Sequence, residues 1–460
     1  MEDTIIAIAT PPGNGAIGII RLSGPQCLEI ANKHLNKKVL NKHKNMAVFR
    51  KIIEHNKTIE HCIITYFRAP NSYTGEDIVE ISTHGNVILM GKIVELFLEN
   101  KNLRIADPGE FTQRAFMNGK MDLTQAESVA DLIESTSLNA AKISIGHIEG
   151  DVKTYLKNIK EELIQTRSLL ELELDFSQED LELVERKKIL NSLNKVKDKI
   201  DKTIEIYESK KYLREGIKVA IIGKPNAGKS SLLNAIVGRE RAIVSHIPGT
   251  TRDYLDETMN FKGVNIKFID TAGVHHSEDD IEMKGIKFSF EKAKKSDLTI
   301  VVLDNSHPID EKDKNIFKRI SKEEIDKILV VLNKSDIGHE IVNDEIVNLL
   351  GSNISEKAIE ISAKNKENID HIKEEIFTFF EKEFNDAESE IVISNERQYR
   401  ILKETRENID LALENFKNNI PTEMTAFDIR EIVNSLGSIT GEVTPDDILN
   451  NIFRSFCIGK

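Results

Sequence analysis

The run Gly223-Lys224-Pro225-Asn226-Ala227-Gly228-Lys229-Ser230 fits the pattern G-x-x-x-x-G-K-[ST], and it constrains this chain more than any other stretch. The apolar Val219-Ala220-Ile221-Ile222 before it reads as a buried strand. Ser231-Leu232-Leu233-Asn234-Ala235-Ile236-Val237 after it reads as a helix ended by Gly238. Strand, loop and helix in that order make a phosphate-binding turn. Its glycines let backbone N–H groups curl around a β-phosphate, and the helix N-terminus adds partial positive charge. In such a turn Asn226, Ala227, Gly228, Lys229, Ser230 and Ser231 surround the phosphates. Lys229 reaches the β/γ-phosphates, and the Ser230 hydroxyl ligates Mg²⁺.

Four later motifs follow the phosphate loop. Asp270-Thr271-Ala272-Gly273 comes after a strand, where an aspartate holds the Mg²⁺ shell and Gly273 offers its N–H to a γ-phosphate. Between it and the phosphate loop lies Gly249-Thr250-Thr251-Arg252-Asp253, with Thr251 as a second Mg²⁺ hydroxyl. Asn333-Lys334-Ser335-Asp336 follows the strand ending at Leu332. Its aspartate accepts from the N1–H and N2 amino group of guanine, a donor pair that adenine lacks. Ser362-Ala363-Lys364 then backs the base through the Ala363 N–H. Together these motifs indicate a GTPase domain. The residue after the switch glycine is Val274, which cannot orient water as the glutamine of Ras-like domains does. Another group is therefore needed. Arg252 is one candidate. Glu282 is another, although an acid in such a segment is more often a solvated side chain.

The rest of the chain sets the frame. A length of 460 residues predicts about three domains. No apolar run reaches roughly 18 residues, so no membrane span is expected. Met1-Glu2-Asp3-Thr4 lacks a basic leader region, and Cys27, Cys62 and Cys457 suggest neither a disulfide framework nor a zinc site. A cytoplasmic location is the default. The net charge of −13 disfavours non-specific nucleic-acid binding over the whole surface but leaves room for a local basic face.

Strand-like runs at 4–9, 17–22, 62–67 and 77–82, with a helix over 87–98 packed through Ile88, Ile93 and Phe97, predict an α+β domain over 1–118. Helical spacing governs 119–215, through Leu123, Ala126, Val129, Ala130 and Ile133, then Val152, Leu156, Ile159, Leu163 and Leu170. Apolar strands alternate with amphipathic helices over 216–380, which predicts a mostly parallel sheet covered on both faces. Residues 381–460 turn helical again. The fold class is thus multidomain, α+β and α/β: a Ras-like P-loop GTPase domain inserted in a helical domain, preceded by an α+β domain.

The chain resembles the bacterial tRNA-modification GTPase family MnmE (TrmE). The nucleotide motifs carry the resemblance together with Ala9-Thr10-Pro11-Pro12-Gly13, Asn71-Ser72-Tyr73-Thr74-Gly75-Glu76-Asp77, Pro108-Gly109-Glu110-Phe111-Thr112-Gln113-Arg114-Ala115-Phe116 and the terminal Phe456-Cys457-Ile458-Gly459-Lys460. The resemblance covers the whole chain. It implies that residues 1–118 bind a tetrahydrofolate derivative (5-formyl or 5,10-methylene) and form a homodimer. It implies a flavoprotein partner, MnmG, and a carboxymethylaminomethyl or aminomethyl group installed at carbon 5 of the wobble uridine of certain tRNAs. It also implies GTP hydrolysis activated when two GTPase domains meet across K⁺. Asn226 then ligates K⁺, with further oxygens from Ser245, Ile247 and Thr250 in a loop whose Ser245, His246, Ile247, Pro248, Gly249 and Thr250 border the nucleotide. Glu282 matches the glutamate that orients the attacking water. Arg21, Glu80, Lys120 and Lys460 match folate ligand positions, where a carboxylate holds the pterin and basic groups meet the glutamyl tail. Cys457 matches a cysteine near that site connected with the modification chemistry. His275-His276 reads as a solvated pair.

Two other readings compete. A ribosome-assembly GTPase would carry a basic RNA-binding domain, whereas the segments flanking the nucleotide domain read as acidic to neutral. A folate enzyme with a vestigial GTPase conflicts with the intact nucleotide motifs.

Overall fold

The computed structural model describes residues 3–135, 137–175, 186–209, 211–238, 257–269, 290–323, 325, 327–350, 358–381, 393–418, 420–454 and 456–459. The chain divides into two compact units, one made of Met1–Ile133, Ser144–Ile204 and Ile393–Lys460, the other of Glu134–Ile143 and Glu205–Val392.

The first unit opens with a six-stranded sheet in the order β3-β4-β5-β2-β1-β6. Its strands are β1 (Thr4–Ile8), β2 (Gly15–Ser23), β3 (Ala47–Glu54), β4 (Lys57–Phe67), β5 (Ile78–Gly85) and β6 (Leu103–Ile105). Only β1 and β6 run parallel; β3, β4, β5, β2 and β1 pair antiparallel in turn. Alternation does the folding here. Ile20, Leu22, Ile52, Ile64, Tyr66, Val79 and Ile81 point to one side, where the helices Cys27–Lys33 and Val87–Leu98 cover them. Within Val87–Leu98, Met90, Ile93, Leu96 and Phe97 are buried. Ile88, expected to pack, is instead 83% exposed, because it lies in the first turn on the solvent side.

Charge, as well as apolar packing, fastens this part. Arg114 is fully buried on the helix Glu110–Met117. It donates to Asp3 Oδ1 at 2.9 Å, Glu76 Oε2 at 3.1 Å and Glu110 Oε1 at 2.8 Å. Arg104 adds two bonds to Glu110, at 2.6 and 2.7 Å. The network joins the chain start, the 71–77 loop and the Glu110 helix. Burial would raise the Glu110 carboxyl, but the bonds from Arg104 and Arg114 hold it below its ordinary value.

The helical part is assembled from distant stretches. Val152, Leu156, Ile159, Leu163 and Leu170 are buried as their spacing predicts. Arg397 reaches Glu127 with two bonds at 2.7 and 3.0 Å and donates to the Ser438 and Ile439 carbonyls. Gln398 Nε2 donates to the same carboxylate at 2.7 Å. One buried carboxylate thereby clips the helices Leu123–Glu134, Glu396–Lys417 and Thr422–Thr440 together. The last helix, Asp446–Arg454, packs Leu449 and Phe453, with Phe456 beyond it, on Leu123 and Ala126. The tail then runs against β1. Gly459 has φ +98°, and a Cβ there would sit 2.4 Å from the Ile8 carbonyl, so only glycine fits.

The second unit holds a sheet in the order β12-β11-β10-β7-β9-β8. Its strands are β7 (Ile217–Ile222), β8 (Glu257–Phe261), β9 (Val264–Phe268), β10 (Leu298–Asp304), β11 (Ile328–Asn333) and β12 (Ile359–Glu360). All pairs are parallel except β8 with β9. Every residue of β10 and β11 is buried, as near-continuous apolar runs require when helices cover both faces. Among the described residues no helix is long and apolar enough to cross a membrane.

Replacing Arg114 with leucine leaves Glu76 and Glu110 ionised around an apolar side chain. The expected loss is about 3 kcal/mol at pH 7, read by denaturant unfolding. A carboxyl held below its unfolded value stabilises the fold above that value and loses this contribution as pH falls through the folded one. The gap between wild type and Arg114→Leu should therefore narrow below about pH 4.

Candidate nucleotide site

Among the described residues, the motif loops of the second unit lie at the carboxyl ends of its parallel strands, the place where open α/β sheets bind ligands. The phosphate loop leaves β7, Asp304 closes β10, Asn333 closes β11 and Ser362 follows β12. Lys229 begins the helix Lys229–Val237, and its Nζ donates to the Gly223 and Lys224 carbonyls at 2.9 Å each. Burial lowers its pKa. A cation held over the mouth of its own loop is poised for phosphate oxygens. Ser230 and Ser231 occupy the first helical turn, and Ala227 is buried beneath the loop. Asn226 is exposed at its tip with φ +62°.

Asn333 joins two loops. Its Nδ2 donates to the Ala227 carbonyl at 2.8 Å, and its Oδ1 accepts from the Ala363 N–H at 3.0 Å. The fit is close, since a Cβ on Gly228 would stand 2.0 Å from Asn333 Nδ2. The Ala363 N–H expected to back the base is thus committed to Asn333, because the short turn after β12 points it at that amide. Ser362 Oγ donates to Asp336 Oδ1 at 2.7 Å, leaving the other carboxylate oxygen outside that bond. Lys334, at φ +69°, donates to Asp304 Oδ2 at 2.7 Å. Burial would raise the Asp304 carboxyl, yet Lys334 and Ser306 hold it below its ordinary value. Lys364 is exposed beside this turn.

Sequence reasoning passed over a second layer. Lys224 donates to Asp310 at 3.1 Å and to the buried Asp313 at 2.8 Å. Those two aspartates form a capping box at the start of the helix Glu311–Lys322, which ties the phosphate loop to that helix. Burial raises Asp313, while the Asp313 N–H bond lowers Asp310. The D-x-x-D spacing before an amphipathic helix was the available signal. Asp304 carried a weaker one, a charge ending an apolar strand.

Ser245, His246, Ile247, Pro248, Gly249, Thr250, Thr251, Arg252, Asp270, Thr271, Ala272, Gly273, Val274, His275, His276, Glu282 and Lys460 lie outside the described residues.

In the first unit, Arg21 and Glu80 face each other on β2 and β5, with Arg21 Nε and Nη2 at 2.9 and 2.8 Å from Glu80 Oε1. The guanidinium lies 5.6 Å from the Tyr73 ring and 5.7 Å from the Phe111 ring. Lys120 is exposed and donates to the Pro70 carbonyl at 3.0 Å, at the start of the loop that carries Tyr73. Cys457 is exposed, and its carbonyl accepts from the Gly109 N–H at 3.4 Å. A partly open ion pair beside two rings suits a planar heterocycle with amide-like edges.

Family models match both units' sequences: GTP-binding protein TrmE N-terminus over residues 4–120 and MnmE helical domain over 123–457. A tRNA modification GTPase MnmE of Thermotoga maritima is 37% identical over 463 residues, covering 100% of both chains. The chain belongs to the MnmE family. The MnmE of Clostridioides difficile is also 37% identical, over 464 residues and 100% of both chains. That of Aquifex aeolicus is 36% identical over 463 residues with the same coverage. As an MnmE-family member the chain is a GTP-hydrolysing enzyme of tRNA modification, and its multidomain fold is the one expected.

Asn333→Ala leaves the Ala227 carbonyl and Ala363 N–H buried without partners, at about 1–3 kcal/mol each. GTP and GDP affinity measured by titration calorimetry should both fall at least about tenfold, since the loops loosen whatever the γ-phosphate.

Proposed function

We propose that this GTPase works with the flavoprotein MnmG to add a carboxymethylaminomethyl or aminomethyl group to carbon 5 of the wobble uridine of certain tRNAs. The one-carbon unit comes from a tetrahydrofolate derivative. The observation that carries the reading is the lock between guanine-reading and phosphate-binding loops through Asn333, in a chain related over its whole length to tRNA modification GTPases.

In this reading residues 216–380 are the GTPase domain, 119–215 and 381–460 the two parts of the helical domain, and 1–118 the folate-binding and dimerisation domain. Asp336 reads the guanine edge, with Ser362 orienting its carboxylate. Lys229 neutralises the β/γ-phosphates. Ser230 and Thr251 hold Mg²⁺, which neutralises charge on the phosphate oxygens when bound. Asp270, Thr271, Ala272 and Gly273 frame the γ-phosphate. Asn226 contributes an exposed side-chain oxygen to K⁺, together with oxygens of Ser245, Ile247 and Thr250. A monovalent cation there stabilises developing charge as an arginine finger does. Glu282 orients the attacking water, the task Val274 cannot perform.

Arg21 and Glu80 bind the folate, supported by the flanking Tyr73 and Phe111, while Lys120 and Lys460 meet its anionic tail. Cys457, on the tail that runs past Ile8, takes part in the modification chemistry. Support for a homodimer comes from one end of the first sheet. There the Gly15–Gly85 pair and the Asn14–Val87 hydrogen bond bring together Ile17, Val87 and Ile88, all well exposed. The setting for this work is the cytoplasm.

The test is reconstitution with MnmG, unmodified tRNA, GTP and 5,10-methylene-tetrahydrofolate, in K⁺ or Na⁺ at equal ionic strength, read by nucleoside mass spectrometry. The modified uridine should form in K⁺, drop at least about tenfold in Na⁺, and be lost in Asn226→Ala. Product that forms equally in Na⁺ contradicts the K⁺ role. Product that forms without folate contradicts the donor.

A further inference from the structure

The chain carries a net charge of −13, yet residues 33–57 hold eight Lys and Arg against one carboxylate, Glu54. This stretch is basic, unlike the acidic-to-neutral character expected of the segments flanking the nucleotide domain. Glu54 is already engaged by Lys92 at 2.9 Å, so it offsets none of the segment's own cations. Among the described residues Lys33 pairs with Glu29, while Lys37, Lys38, Lys42, Lys44, Arg50 and Lys57 have no carboxylate partner.

The fold gathers these charges. Residues 34–36 run along the outer edge of β3, through the Leu35–Ile52 bridge and paired bonds between Asn36 and Lys51. The chain then crosses to β4, where the Asn45 N–H meets the Tyr66 carbonyl. Arg50 lies beneath this crossing and donates to the Lys38 carbonyl at 3.4 Å. His43 reports the density of charge: desolvation, then Lys42, Arg50 and Lys37, all lower its pKa. Its Nδ1 accepts from the Leu40 N–H at 2.9 Å, which leaves Nε2 as a neutral donor.

Lysines at a sheet edge often serve only to block edge-to-edge pairing. That account does not reach these. The 34–36 segment already covers the edge of β3, and Lys37, Lys38, Lys42 and Lys44 stand on the covering loop itself. A membrane surface is the weaker fit, since the segment's only helix is the three-residue Asn41–His43 turn, with no amphipathic face to lay into lipid. Unpaired cations on an irregular loop match RNA, whose phosphates take the charges.

We propose that the loop over residues 36–46 together with Arg50 is a docking surface for the tRNA backbone. The inference rests on the tRNA reading above. It places the contact on residues that belong to none of the nucleotide motifs, so tRNA affinity is adjustable without altering those motifs.

The full-length protein and fluorescein-labelled unmodified tRNA transcript provide the test, by anisotropy across a salt series. Lys37, Lys38, Lys42 and Lys44 are changed together to Gln; a control changes the exposed Lys295, Lys312, Lys318 and Lys322 to Gln. The loop variant should bind at least about tenfold more weakly, with a log–log salt slope reduced by about 3. Basal GTP hydrolysis should be unchanged, and arginine at the four loop positions should restore binding. Equal losses in loop variant and control overturn the proposal, as does an unchanged slope. Loss of binding to phosphatidylglycerol vesicles with tRNA binding intact would overturn it in favour of a membrane surface. Wild type that binds no tRNA would also remove the tRNA reading, whereas wild type and loop variant binding alike would remove only this surface.

Discussion

The side-chain amide of Asn333 is the contact on which the nucleotide site depends. A carboxamide has a donor and an acceptor on one rigid plane, so it can hold two loops at a fixed separation. Here those loops are 106 and 30 residues away in sequence, one shaped for phosphates and one for a base. Both ends of the amide are buried, where an unmade bond is expensive, so the spacing between phosphate and base subsites is set before any nucleotide arrives. Lys224, held by Asp310 and Asp313, extends the lock from the loop to a helix behind it.

The first unit uses the same strategy with full charges. Arg114 collects three carboxylates from three stretches of chain, and Glu127 collects Arg397 and Gln398 from a stretch some 270 residues later. A buried ion is tolerable only when fully partnered, so each network closes only if all its segments are in place. This explains how a helical part interrupted by another domain's chain comes back into register. It also ties the Tyr73 loop, through Glu76, to the helix that carries Phe111, and those two rings flank Arg21.

Much of this was legible in the sequence. Continuous apolar runs gave away β7, β10 and β11, because strands covered on both faces need no polar positions. The helix through Leu156 and Leu163 was equally plain in its spacing. Short elements were not: β3 mixes Arg50 and Lys51 with its apolar residues, and the seven-residue Cys27–Lys33 helix is too brief for periodicity to register. Ile88 misled because an apolar residue at helical spacing need not face inward in the first turn. At the nucleotide site the motifs located the loops, but not the cross-links between them. Nothing local to Asn333 reveals that its amide takes the Ala363 N–H, and nothing local to Lys224 reveals that its partners lie 86 and 89 residues on. The basic rim was hidden by the chain's overall acidity.

The central claim is that Asp336, aimed by Ser362 on a loop set locked by Asn333, makes this site read guanine. Its most direct test is competitive binding of GTP and XTP to wild type and Asp336→Asn. Xanthine carries a carbonyl where guanine carries the N2 amino group, so an asparagine amide can donate where aspartate can only accept. Wild type should favour GTP, and the variant should reverse the preference with at least about a hundredfold loss in GTP affinity. A variant that still favours GTP over XTP would contradict the account.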